Sequence, residues 1–299
     1  MSLLSDYIDQ YPHETKRLLG LDYESLNHLI AEAEILHRQR QIEMNKDKVR
    51  IIAEGGGRTV KLSNRDAILL TLTYLRQHLT FQWLGLAFNV SESTAHSLFH
   101  DWLEILASLL PASLLEQVQD EASDSAWVQE VLTEDELIVD TTEQQRQRPG
   151  EPEEQEKFYS GYKHMHSFKN QLIILPEAKD IVDVVIGEAG PKSDITLFRE
   201  HQNTFASNQK FKGDKAYAGE ANISIPHKKP KNLELTEQQE QENQVFSGQR
   251  VFVEHMIRFI KIFRIAQERF RLRARHYQRV IHTVCGLVRF RIGALILSV

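Results

Sequence analysis

Apolar residues recur at helical spacing through the first third of the chain, and short apolar runs replace that pattern further on. Leu26, Leu29, Ile30, Ala33 and Leu36 form a stripe within residues 1–54, which read as helical. Gly55-Gly56-Gly57 breaks the pattern. No Gly-Lys-Ser/Thr follows it, so the triplet reads as a flexible joint and not as a phosphate-cradling loop. Ser63 is the expected N-cap of a helix from Asn64 to about His78, with Ile68, Leu69, Leu72 and Leu75 on one side. A second short helix follows Thr80 through Phe81, Leu84, Ala87 and Phe88. Asn89-Val90-Ser91 reads as a turn, and Ser91 or Ser93 caps a third helix carrying Ala95, Leu98, Phe99, Trp102 and Leu103.

Beyond Pro111 the texture changes. Leu137-Ile138-Val139 is a short apolar run ending on Asp140, and the polar residues 141–157, with Pro149 and Pro152, read as a loop. Strand-like runs follow at Phe158–Phe168, Gln171–Leu175 and Asp180–Ile186. Ser193–Glu200 reads as helical, Gln209–Gly213 as a short strand ending on Asp214, and Lys228–Gln244 as irregular or loosely helical. From Arg250 the chain reads as long, basic and helical. Helices, then adjacent strands, then helices predict an all-helical N-terminal domain (residues 1–120) and a mixed α/β second domain (residues 130–299). Their boundary is expected between Leu115 and Glu130.

The stretch from Thr80 to His96 has the parts of a helix-turn-helix. Gly85 or Ala87 gives the small residue at the crossing, Val90 the apolar residue in the turn, and Ser91 the cap. Ser93, Thr94 and His96 near the start of the second helix are then candidate DNA contacts, because short polar side chains there reach phosphates or base edges. An ordinary helix corner in a bundle fits the same pattern.

Charge sharpens this picture. The net charge of −6 argues mildly against a nucleic-acid partner, but the charge is segregated. Acids dominate from Asp101 to Glu156. From Arg250 to Arg291 eleven Arg and Lys residues face only Glu254 and Glu268. Such a tail is an electrostatic footprint for phosphate, or the solvated exterior of helices. The single cysteine, Cys285, excludes an internal disulfide and a multi-cysteine zinc site. With no charged-then-apolar leader and no apolar run approaching about 18 residues, the chain is expected to be cytoplasmic and without a membrane partner.

Three acids carry candidate chemistry. Asp140 and Asp214 follow strand-like runs, and neighbouring strand ends can bring such carboxylates together; singly, each is more commonly a turn or cap residue. On a helix Arg250 and Lys261 lie roughly 40° and 20° from Glu254, so all three share a face. Phe252, Phe259, Ile260 and Phe263 form a core-like set away from it. A carboxylate between two cations suits a metal next to a phosphate, or is a surface ion pair. Clustered carboxylates are what two hard divalent cations require, and two such ions about 3.5–4 Å apart activate a nucleophile and stabilise a leaving oxygen.

In their order along the chain these pieces resemble the DDE-superfamily transposases of bacterial insertion sequences, in particular the insertion-sequence-five group related to eukaryotic Harbinger elements. The resemblance covers nearly the whole chain. It rests on Gly57-Arg58 through Leu75-Arg76 and Val90-Ser91-Glu92-Ser93-Thr94, on Val139-Asp140-Thr141-Thr142-Glu143, and on Tyr159-Ser160-Gly161 with Lys163 and His166. Gly187–Asp194, Gly213-Asp214-Lys215-Ala216-Tyr217, Pro226-His227-Lys228-Lys229-Pro230 and Arg250-x-x-x-Glu254 with Lys261 complete it. Relatives often carry a Tyr three residues before the Arg; Ser247 stands there in this chain, so no such role carries over.

The resemblance implies an RNase H-like catalytic domain with a mixed sheet flanked by helices. Asp140 would sit on the first strand, Asp214 near the fourth and Glu254 on a late helix. These three would be the catalytic residues and the metal ligands for two Mg²⁺ ions, with Mn²⁺ as a substitute. Arg250 and Lys261 would neutralise phosphate near the metals, and His227, Lys228 and Lys229 would position the strand. Asp194 is expected to cap a helix or support the ligands. The implied activity is metal-dependent DNA end cleavage and strand transfer on double-stranded DNA, by a homodimer or larger assembly gripping terminal inverted repeats. The competing readings are a DNA-binding regulator without catalytic activity and a phosphohydrolase acting on small molecules.

Overall fold

The computed structural model describes residues 2–46, 62–119, 125–231 and 234–297. The Gly55–Gly57 joint, the end of the first helical stretch and the Gly57-Arg58 start of the resemblance lie outside the described residues. The chain forms two compact units. The first runs to Leu110 and adds Phe263–Ile265 and the stretch from Leu295; the second comprises Pro111–Ile262 and Ala266–Ala294. Among the described residues no helix is long and apolar enough to cross a membrane.

The first unit is helical: α1 (Leu3–Gln10), α2 (Thr15–Leu19), α3 (Tyr23–Asn45), α4 (Asn64–Gln77), α5 (Phe81–Ala87) and α6 (Glu92–Leu109). Leu26, Leu29, Ile30 and Ala33 of α3 and the expected stripe of α4 are buried, and Leu36 is half-buried. Ser63 caps α4, and His78 ends it in the left-handed region at φ 52°. Between α5 and α6 the small residue at the crossing is Gly85, since Ala87 is exposed. A Cβ on Gly85 would lie 2.7 Å from the Val90 carbonyl oxygen, so only glycine fits there. Of the two candidate caps, Ser91 caps α6, accepting from the Thr94 N–H at 3.2 Å.

The second unit contains α7 (Leu114–Gln119), α8 (Ser125–Leu132), β1 (Glu136–Gln145), α9 (Pro152–Phe158), β2 (Tyr159–Ser160), β3 (Met165–Ile174), β4 (Ile181–Ala189), α10 (Asp194–His201), β5 (Lys210–Lys212), β6 (Ile223–Ser224), α11 (Glu237–Lys261) and α13 (Tyr277–Arg291); α12 (Arg264–Gln267) lies between the last two in sequence. β3 pairs antiparallel with β1, β4 and, at its start, β2; β5 runs parallel to β1, and β6 parallel to β5. The resulting order β4-β3-β1-β5-β6 is a mixed sheet, as the resemblance implied. One face buries Leu137, Val139, Ile173, Phe198, Phe211 and Tyr217 in a common core.

Several local expectations are corrected. The expected loop at 141–157 is strand to Gln145 and helix from Pro152. Pairing with β3 carries β1 through its polar half, and Pro152 starts α9 at the helical position where proline costs no hydrogen bond. Phe158–Phe168 is not one strand, because residues 161–164 turn the chain and His164 takes φ 53°. The expected break between Phe168 and Gln171 is absent; β3 runs through it. Of the two alternatives for 228–244, irregular or loosely helical, the second holds from Glu237, where α11 begins with a Thr236/Gln239 capping box. Its buried residues are Val253, Met256 and Ile260, while Phe252 and Phe259 are half-buried.

Candidate active site

Asp140 lies within β1 and not at its end. The register aligns Ile138 with Lys212 on parallel β5, so Asp140 and Asp214 each stand two residues further along neighbouring chains. Asp214 follows β5 and caps the turn Lys215–Tyr217, accepting from the Ala216 N–H at 2.8 Å. Gly213 permits this turn: a Cβ there would lie 2.7 Å from the Tyr217 ring.

The Asp140 carboxylate accepts from the Thr141 N–H at 2.8 Å and has Arg250 Nη2 at 3.6 Å. Burial pushes its pKa up to about 6; the Thr141 N–H and Arg250 oppose this, and the charges of Asp214 and Asp194 add to it. Asp194 is not the helix cap, which is Ser193; it pairs instead with buried Lys169 at 2.7 Å. Tyr217, buried in the core with Leu137 and Val139, has its hydroxyl pKa raised by burial and then by Asp194 and Asp140. Gln171 Nε2 donates to that hydroxyl at 3.2 Å.

Glu254 is exposed on α11, with Oε1 3.5 Å from the same Arg250 Nη2. Arg250 therefore spans Asp140 and Glu254, while its own Nε is buried without a hydrogen-bond partner among the described residues. Lys261 is half-buried. Burial lowers its pKa first and the nearby Lys163 ammonium second, against the pull of Asp140.

The donor chemistry fits a hard divalent cation, since Asp140 and Asp214 offer oxygen ligands and Asp140 carries negative charge that Arg250 only partly offsets. Among the described residues no three His, Cys, Asp or Glu side chains stand close enough to hold one ion. The two aspartates are brought together; Glu254 is turned to Arg250.

The remaining candidates sit elsewhere. On α6 the Ser93 and Thr94 hydroxyls lie 3.0 and 2.8 Å from the Ser91 hydroxyl, and His96 Nε2 lies 3.2 Å from His100 Nε2. His227 pairs with Glu242 at 2.6 Å, Lys229 with Glu234, and Lys228 is exposed. Lys169 and Gln171 are site neighbours that no sequence motif marked, and Tyr217 stood in the Gly213–Tyr217 motif without an assigned role. The available signal was the polar triplet Lys169-Asn170-Gln171 between Phe168 and the apolar Leu172-Ile173-Ile174.

A family model described as DDE superfamily endonuclease matches residues 139–289, and one described as the helix-turn-helix of DDE superfamily endonuclease matches residues 60–112. The probable transposase for insertion sequence element IS702 from Microchaete diplosiphon is 27% identical over 282 residues, covering 93% of this chain and 94% of that protein. The Mos1 transposase paired-end complex with left transposon end is 10% identical, covering 79% of this chain and 88% of that one, with a TM-score of 0.21. The pre-cleavage Mos1 transpososome is 11% identical, covering 89% and 97%, with a TM-score of 0.18. At such scores neither structure adds to the reading of this chain.

Proposed function

This chain belongs to the DDE superfamily endonucleases, and from that premise we propose that it is an insertion-sequence transposase that cuts DNA ends and transfers them to target DNA. The observation carrying this reading is the placement of Asp140 on β1 and of Asp214 just past the end of parallel β5, two residues beyond the paired Ile138 and Lys212, with Asp140 largely buried and its pKa raised to about 6. Groups so perturbed by burial and like charge concentrate at functional sites.

Asp140 and Asp214 would be the first two metal ligands, and Glu254 the third once its side chain leaves Arg250. Bound Mg²⁺ or Mn²⁺ ions would supply Lewis acidity and a water of lowered pKa. Freed from Glu254, the Arg250 guanidinium is placed to pair with the phosphate being cut, and Lys261 to neutralise its neighbour. Lys169 holds Asp194 beside Asp140 without leaving a second uncompensated carboxylate. Ser93, Thr94 and His96 contact end DNA from the helix-turn-helix, and His227, Lys228 and Lys229 position the strand. Joining two ends calls for two copies of the chain.

The second reading, a DNA-binding regulator, draws on the Arg250–Glu254 contact, which leaves the third acid engaged. Incubating the protein with DNA carrying the element's ends, with and without Mg²⁺, separates the readings. Metal-dependent cutting supports the transposase; a shifted but uncut fragment supports the regulator.

A further inference from the structure

Residues 161–164 form the turn of the β2–β3 hairpin, where Tyr159 faces His166 and Ser160 faces Met165. At its tip Tyr162 is 92% exposed, the most exposed large hydrophobic or aromatic side chain among the described residues. Burial cannot account for an aromatic ring held there. The turn is nonetheless built: the Lys163 N–H donates to Ser160 Oγ at 3.4 Å, and His164 takes a left-handed φ of 53°. Tyr159, half-exposed, lies 5.3 Å from the His166 ring.

Cations and acids both stand around the turn: Arg146 pairs with Glu154 at 3.8 Å, and the acidic helix α9 leads into β2. Lys163 Nζ is 3.3 Å from Glu143, and its charge reaches Lys261 beside Asp140. His166 feels Arg148 and Arg146 after burial. Glu143 also accepts from Ser167 Oγ at 2.7 Å, so it keeps a partner if Lys163 moves to another anion. Gly190 secures that arrangement, since a Cβ there would overlap Ser167 Oγ.

We propose that the Gly161–His164 turn binds an unpaired DNA strand next to the candidate active site, with Tyr162 stacking on a base and Lys163 pairing with its phosphate. An exposed aromatic beside cations suits a nucleic-acid strand, because every base presents a π-face and every nucleotide a phosphate. In an intact duplex the base faces are already stacked, so the ligand is the strand freed at a cut or frayed end. The assignment deepens the reading of the chain as a DNA-end-cutting enzyme and rests on it for the strand's origin.

The test uses the full chain with a fluorescein-labelled single-stranded oligonucleotide of mixed sequence, a duplex of the same sequence, and a single strand carrying 2-aminopurine. Wild type and Tyr162→Phe should bind the single strand about equally and quench 2-aminopurine. Tyr162→Ala should bind it about tenfold more weakly without quenching, the size of one base–aromatic stack. Lys163→Ala should also flatten the salt dependence, by about 0.7 in log–log slope for one phosphate. Duplex binding should be unchanged in all variants. Tyr162→Ala binding and quenching like wild type, or a wild type that ignores single strands, would overturn the assignment. Mg²⁺-dependent cutting by wild type is scored separately. Cutting without any effect at Tyr162 sinks this inference alone, and stacking without cutting sinks the transposase reading alone.

Discussion

Arg250 Nη2 and the Asp140 carboxylate stand 3.6 Å apart, tying α11 to the central strand β1. The same guanidinium nitrogen lies 3.5 Å from Glu254. One cation thus stands between two of the three acids expected to share metal ions. Glu254, exposed and 3.5 Å from this guanidinium, is the acid that a side-chain rotation can redirect.

Asp140 gives a pH signature in the metal-free protein. Its folded pKa of about 6 lies above the ordinary 3.8, so the fold favours the protonated carboxyl. That contribution is fully present below about pH 4 and is lost as pH rises through 6. Asp140→Asn should therefore be more stable than wild type at pH 7.5, by at most about 3 kcal/mol, with the gap closing near pH 4. Thermal melts of both proteins across that range check it; parallel curves would refute the cause assigned.

Divalent metal should reverse the penalty. Mg²⁺ or Mn²⁺ should raise the wild-type melting temperature, more at pH 8 than at pH 5, because Asp140 must lose its proton to ligate. Stabilisation of about 2.7 kcal/mol is expected at a hundredfold excess over Kd. Asp140→Asn should lose most of the shift, and an equal shift in that variant would place the metal elsewhere.

The fold was legible where burial and spacing agree. The helices from Asn64 to Leu109, the capping of α6 by Ser91 and the strand entering Asp140 all follow from periodicity and end signals. What the sequence concealed was the polar half of β1 and the course of β3. Thr141 to Gln145 carry no apolar alternation, yet pairing with β3 holds them extended. Tyr217 stood in the Gly213–Tyr217 motif, but its burial in the core depends on Gly213 letting the turn close, which is a tertiary fact. The motif order pointed to Asp140, Asp214 and Glu254, but the Arg250 bridge depends on side-chain positions that spacing cannot supply.

Arg289 is a structural counterweight in the second unit. Fully buried, it pairs with Asp180 at 2.7 and 2.9 Å and donates to the carbonyls of Pro111 and Ser113. Arg289→Met should cost about 3–5 kcal/mol, because it leaves the Asp180 charge buried and unpaired. Adding Asp180→Asn should recover part of the loss. Urea unfolding measures both, and no recovery in the double variant would contradict the ion-pair explanation.

Gly85 tests the helix-turn-helix independently of the acids. Gly85→Ala should push the α5–α6 turn apart, costing about 1–3 kcal/mol. It should weaken duplex binding while leaving the pH signature of Asp140 intact. A variant that binds duplex like wild type would show that this corner does not contact DNA.

The most direct test of the central claim is strand cleavage of DNA carrying the element's ends, in Mg²⁺, by wild type, Asp140→Asn, Asp214→Asn and Glu254→Gln. The account predicts that wild type cuts, and that each variant still binds the ends but leaves them uncut. A variant lacking any one of these carboxylates that cuts at the wild-type rate would contradict it.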